Sequence, residues 1–534
     1  MSLYEKLLVD IPDDKGIHVK SAGAKSEKYV YKYVKYYRNA DKKPRNKSKA
    51  IGKLDPSSGK MYPNNNYFCM YNVSPLTTEA LVWNYGYSYL ILKICKDLKL
   101  FDILHKAFCD KTMSIIVMAS YIIQEGNVMD GIDDWQQRNF FPGFEHLLTS
   151  QSTSRTFASL SVAQMHNFFK SWLKATYNGG SVCYDVTSIS SYSQQISGVE
   201  RGYNRDNDDL AQYNLGMFCD ESTKTPLYYN RYNGSLTDKT NLSSVLKNAK
   251  SVGIENVKMV LDGGFWSEEC IKSLKECCST FIVGMPIFLK ESKKIIDNKA
   301  DNIVKYENEL TNYNIYCVQE DLTIYGVSGR VLVFYDLWNH ANLCAEMSSH
   351  INSLKAKLSK LKRLPKSKLS QYTKYFNITE HEHDSGFDYE VDLDRVEELR
   401  KSKGFFLLFT TDMISTPSDI LYYYRAKDSD EKLFAQIKVE MEGRRIRTHS
   451  DETTEGKTFV TFIACVIRSY IERRLSNYLN ANKTSVKKAL NQLSNITIIS
   501  GNEGYRFIKA LTKKQKDILS VFDAEDDIIN SINL

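Results

Sequence analysis

The chain has 534 residues, 42% hydrophobic and 12% aromatic, enough to bury the cores of about two to four domains, which excludes a disordered chain. A net charge of +7 is too mild to name a polyanionic partner by itself, and eleven scattered cysteines with no Cys-x-x-Cys pair argue against a disulfide scaffold or zinc site. No run of about 18 apolar residues offers a membrane span, and Met1-Ser-Leu-Tyr-Glu-Lys lacks the apolar stretch of a secretion signal, so the expectation is a cytoplasmic protein.

In chain order, residues 1–76 read as a basic strand region. Residues 1–60 hold 15 Lys and Arg against 7 Asp and Glu. Tyr29-Val-Tyr-Lys-Tyr-Val-Lys-Tyr-Tyr mixes β-branched and aromatic residues with lysine, which suits a strand. Its tyrosines either lie along DNA or pack as a small sheet. Residues 77–178 read as helical, with apolar residues at helical spacing in Leu90–Leu104 and Met113–Ile123. Gln151-Ser-Thr-Ser-Arg-Thr-Phe reads as a helix start capped by Ser152 or Thr153. With the preceding helix it forms either a helix-turn-helix that presents Ser154, Arg155 and Thr156 to DNA, or an ordinary bundle helix.

Residues 179–286 predict three strands near 181–189, 211–220 and 225–232, then helix, strand 256–262, helix and strand from Thr280. Asp185 lies in the first strand and Asp262 ends the fourth. Residues 287–403 read as a strand-rich insertion, because 169 residues from Asp262 to Glu431 far exceed a strand-to-helix connection. Lys355–Lys374, with eight basic residues and no acid, reads as solvated surface or as polyanion contact. His381-Glu-His383 reads as a polar loop, since no third metal ligand accompanies it. Residues 404–480 return to the core through Gly404-Phe-Phe-Leu-Leu-Phe and a helix from Thr416; 481–534 read as a helical tail.

The run Tyr424-Arg-Ala-Lys-Asp-Ser-Asp-Glu431-Lys-Leu-Phe-Ala-Gln-Ile-Lys438 carries the most chemistry. Tyr424, Lys427, Glu431 and Lys438 fall on one face of a continuous helix. A carboxylate among cations suits a metal-dependent site acting on phosphate.

With Asp185 and Asp262 in order before it, this run resembles the DDE transposases of bacterial insertion sequences, in the group with a Tyr-Arg-Glu-Lys signature around the third acid. The segments Gly202–Gly216 and Pro226–Asp238 also look like parts this group carries between its first two acids. The resemblance implies an α/β fold: an RNase H-like core with a mixed five-stranded sheet, interrupted by an insertion, with DNA-binding strand and helical regions before it. It implies Asp185, Asp262 and Glu431 as catalytic acids holding two Mg2+ or Mn2+ ions. The implied activity is cleavage of DNA at element ends and strand transfer into target DNA. The implied partners are the element's terminal inverted repeats, target DNA and a second copy of the chain in a synaptic complex.

Tyr424, Lys427 and Lys438 match the signature's remaining positions, although the family has arginine where this chain has Lys427. Lysine keeps the charge and loses the bidentate fork. Arg425 is the nearby arginine. Gly263 is a second departure, standing where many relatives carry a polar or basic residue. Arg444 and Arg445, in Arg444-Arg-Ile-Arg-Thr-His449, and Arg155 are further candidates for DNA contact. The family's stacking of a flipped base points to Trp338 or Phe405-Phe406. Two competing readings are an RNase H-like nuclease without strand transfer and a decayed or domesticated DNA-binding protein.

Overall fold

The structure is a computed structural model, and it describes residues 7–22, 27–38, 43–71, 73, 81–311, 313–361, 363–365, 367, 369–381, 386–500 and 506–531. His383 and the basic residues Lys362, Lys366 and Lys368 lie outside the described residues.

Near the N-terminus, β1 (Ile17–Ala22), β2 (Glu27–Arg38), β3 (Pro44–Leu54) and β4 (Met61–Pro63) form an antiparallel meander. Val30, Ile51 and Met61 supply its core, while Tyr36 and Tyr37 stay exposed. A short strand, β5 (Leu81–Asn84), leads into the helical region. Its helices pack around the buried middle of one long helix, Asp451–Asn482, where Phe108 and Phe168 meet Phe459.

Helix Ser150–Ala158 is capped three or four residues earlier than the expected Ser152 or Thr153. Thr149 is the N-cap: it accepts from the Ser152 backbone, and Ser152 Oγ accepts from the Thr149 N–H in return. The preceding helix, Ile132–Arg138, is eleven residues away (139–149). That is too long for the tight turn of a helix-turn-helix, so the segment is a bundle helix.

The central sheet collects β6 (Ser181–Ser190), β7 (Gln212–Asp220), β8 (Pro226–Asn233), β9 (Lys258–Leu261), β10 (Thr280–Met285), β11 (Glu309–Leu310), β12 (Ile315–Ile324) and β13 (Val327–Asp336). After the hairpin of β14 (Phe376–Glu380) and β15 (Phe387–Val391), β16 (Phe405–Thr410) joins it too. Its order is β11-β12-β13-β16-β10-β9-β6-β7-β8. β6, β7 and β8 pair antiparallel; β9 and β10 follow in parallel on the other side of β6. Helices Asp238–Val252 and Glu268–Cys277 make those crossovers.

Among the described residues the sheet has nine strands where five were expected, because strands assigned to the insertion extend it. The cause is legible in burial. β13 and β16 are buried on nearly all positions, so neither has a polar face to show solvent, and each pairs on both edges. β12 alternates toward exposure and lies beside only the two-residue β11 at the margin. Helix Leu337–Leu358 and the β14–β15 hairpin form a small core of their own around Ile351, Leu354, Tyr372 and Phe376.

The C-terminal residues are not wholly helical. β17 (Thr497–Ser500) pairs with β18 (Arg506–Ile508) and with β5, tying the end of the chain to the helical region. No helix of the described residues is long and apolar enough to cross a membrane.

Candidate active site

Asp185 and Asp262 meet because β6 and β9 are parallel neighbours. The register pairs Cys183 with Val260, so two residues further on the acids stand level, one strand spacing apart, about 4.8 Å. Asp185 lies within its strand, and Asp262 just past the end of β9, where its carboxylate accepts from the Gly263 N–H at 2.7 Å. Burial raises the Asp185 carboxyl above its ordinary range, and the Asp262 charge adds to that. The Val186 backbone N–H and the charges of Lys427 and Arg205 oppose it.

Over these acids lies the helix Pro417–Ala426. It starts where expected, with Thr416 as N-cap in a capping box with Asp419 and Pro417 at the first turn. Ile420 and Leu421 bury against the sheet with Cys183, Val260 and Ile282. This docking brings the Tyr424 hydroxyl to Asp262 Oδ1 at 3.2 Å and Lys427 Nζ to Asp262 Oδ2 at 3.5 Å. Lys427 is only 6% exposed, so its ammonium needs the acids beside it. Gly263 and Gly284 permit the arrangement: a Cβ on Gly284 would stand 2.8 Å from both the Gly263 nitrogen and the Tyr424 hydroxyl. At Gly263 itself a Cβ would stand 3.3 Å from the Gly284 carbonyl oxygen, so the need for glycine is strict at Gly284 and mild at Gly263.

The expected continuous helix is interrupted. It tightens at Lys427, whose N–H bonds Tyr424 O, and resumes as Asp428–Ala435. It then widens into a π turn, Gln436–Glu440. Glu431 sits on the middle piece, exposed, while Leu433, Phe434 and Ile437 bury beneath it. Lys438 lies in this π turn, and its ammonium pairs with Asp206 at 2.8 Å. Burial pulls the Lys438 ammonium below its ordinary range, against the pull of Asp206.

The other expected residues are more scattered. Arg425 points away from the acids, to Asp336 at 3.8 Å and over the Tyr313 ring. Arg444 and Arg445 are exposed beside the end of β6: Ser190 donates to Arg444 O, and the Ile446 N–H donates to Ser190 O, each at 3.0 Å. Arg445 stacks on Tyr192 and donates to its hydroxyl. Arg155 is exposed on the helical bundle. Trp338 is 71% exposed just past β13, which ends on the same sheet edge as β9. Phe405 and Phe406 serve the core, against Tyr335 and Phe334.

Sequence reasoning missed Arg205 and Asp206. Arg205 pairs with Asp238, donates to Ser188 and adds its charge to the Asp185 environment; Asp206 holds Lys438. Their signal was the charged run Asn204-Arg-Asp-Asn-Asp-Asp, read only as a linker.

Asp185 and Asp262 offer hard oxygen donors one strand apart, with a buried ammonium already drawn to them, which fits Mg2+ or Mn2+. Among the described residues no three acids, cysteines or histidines stand close enough to share one ion, so Glu431 is not brought onto the pair.

The comparisons follow this geometry. No curated protein matches the chain. Solved structures that match include a piggyBac transposase synaptic complex with hairpin DNA, at 11% identity over 83% of each chain, with a TM-score of 0.36. The family model described as Transposase DDE domain matches residues 179–467, which take in Asp185, Asp262 and Glu431. That match spans more than half of the chain, and the protein belongs to the transposase DDE domain family.

Proposed function

We propose that this protein is an insertion-sequence transposase that cleaves DNA at the ends of its own element and joins the freed 3′ ends to target DNA. The observation that carries the reading is the in-register pair Asp185 and Asp262 beneath Tyr424 and Lys427, which close the helix before the short one that bears Glu431. The strand order β8-β7-β6-β9-β10 supports an RNase H-like core.

Asp185, Asp262 and Glu431 would hold two divalent ions, which when bound activate the attacking oxygen and stabilise the leaving one. Asp185 lies between the other two acids in this reading. Tyr424 fixes the Asp262 carboxylate by donating to it, and Lys427 balances the charge of the acid pair. Glu431 completes the set by a movement of the short helix Asp428–Ala435, which has a break on either side. Arg444, Arg445 and Arg155 present exposed charge to the DNA backbone, and Trp338 offers a free ring for a flipped base. A second copy of the chain would hold the other element end.

The test uses DNA carrying the repeats that flank the gene, with and without Mg2+. Magnesium-dependent nicking at the repeat end followed by joining of a labelled 3′ end to target DNA is expected. Nicking without joining would leave a nuclease, and repeat binding without either would leave a DNA-binding protein.

A further inference from the structure

Two stretches singled out in the sequence, Gln151–Thr156 and Arg444–His449, converge at a place separate from the acids. Helix Ser150–Ala158 lies against the first turns of Asp451–Asn482. Gly456 permits that crossing, since a Cβ there would stand 2.1 Å from the Phe157 carbonyl oxygen. The crossing leaves a cleft lined by Ser150, Ser154, Arg447, Thr453 and Lys457, with exposed Asp130 at its rim. Each helix contributes two residues at i and i+4, Ser150 with Ser154 and Thr453 with Lys457, so both pairs share a face.

Lys457 is the unusual member. It is 3% exposed, and among the described residues its ammonium makes no hydrogen bond or ion pair. Burying an unpaired ammonium is costly, and such groups are normally matched by an anion. The charge that acts on it is that of another cation, Arg447. Burial, with Arg447 adding to it, lowers the Lys457 ammonium to about 8, so it still carries its proton at neutral pH. Ser150, the first residue of its helix, also lines the cleft, and the first backbone N–H groups of a helix favour an anion.

We propose that this cleft binds a backbone phosphate of DNA outside the three-acid site, with Lys457 as the buried ligand and Arg447, Ser150, Ser154 and Thr453 around it. The proposal rests on the DNA reading above. Its position suits that role: Arg444–Ile446 is stitched to Ser190, five residues along β6 from Asp185, or about 17 Å at 3.3 Å per residue. Arg444, three residues before Arg447, and Arg155, next to Ser154, are exposed.

The test compares wild type with Lys457→Met, which keeps the side-chain volume and removes the charge. DNA carrying the flanking repeats is titrated at several salt concentrations, and melting is followed with and without inorganic phosphate. Lys457→Met should bind DNA about tenfold more weakly, with a log–log salt slope smaller by about one. Phosphate should raise the melting temperature of wild type and not of the variant, while the variant alone melts no lower than wild type. Arg447→Gln, on the exposed side of the cleft, gives the same slope change should Lys457→Met fail to fold. Unchanged affinity and slope in both variants, with a wild type unresponsive to phosphate, would overturn the site. A wild type that bound no DNA but responded to phosphate through Lys457 would sustain the anion site and remove the DNA reading instead.

Discussion

Asp185→Asn should lower cleavage by about 10³-fold or more and raise the melting temperature at neutral pH. The loss follows from removing an acid that neither a neighbour nor solvent replaces. The gain follows from the direction of the Asp185 shift. Its folded-state pKa is raised, chiefly by burial, so Asp185 favours folding below its unfolded value and that contribution is lost as pH rises through the folded value. At pH 7 the buried, ionised carboxylate beside Asp262 is a net cost that the amide does not carry. Melts at pH 7 and at about pH 4, near the ordinary carboxylate value, check this: the variant's advantage should be present at the first and shrink at the second. A variant that melted lower at pH 7 would show that Asp185 is held mainly by its cationic neighbours. The same direction sets the pH profile of cleavage, whose acid limb should lie above the ordinary aspartate range.

Lys427→Met should make the protein's stability depend on Mg2+. Lys427 stands 3.5 Å from Asp262 and its charge acts on Asp185, so its removal leaves two carboxylates one strand apart with less to balance them. Breaking a fully buried pair costs about 3–5 kcal/mol. Asp262 is half exposed, and solvent screening reduces this to about 1–2 kcal/mol, or about 1–2 °C in melting temperature for a chain of this length. Mg2+ should restore most of the loss and shift the variant more than wild type. Lys427→Arg, which keeps the charge, should melt with wild type in the absence of metal. Equal Mg2+ shifts in wild type and Lys427→Met would mean that Lys427 does not balance the acid pair.

Much of the central sheet was legible because its strands carry continuous apolar runs and its acids end or interrupt them. Asp185 in Val-Cys-Tyr-Asp-Val and Asp262 after Met-Val-Leu fall where the parallel register places them level. The extent of the sheet was not legible. β13 and β16 read as buried strands, but no local pattern says that each would pair with the other and not within a separate insertion. Helical spacing gave no sign of the π turn that holds Lys438, because a π turn leaves no mark in residue periodicity. The cap of helix Ser150–Ala158 was misplaced for a simpler reason: Thr149, Ser150, Ser152 and Thr153 are all competent caps. Partners far apart in sequence, such as Lys438 with Asp206 and Arg425 with Asp336, depend on the tertiary fold and had no local signal.

Glu431 is the acid that most needs a direct measurement, since it stands exposed on its short helix and is not gathered with the other two. The measurement is magnesium-dependent nicking of repeat-end DNA by Glu431→Ala beside wild type, at DNA concentrations that saturate both. A three-acid site requires that the variant bind the DNA with wild-type affinity and nick it about 10³-fold more slowly or not at all. Nicking at the wild-type rate would contradict the assignment and leave Asp185 and Asp262 to act with some other ligand.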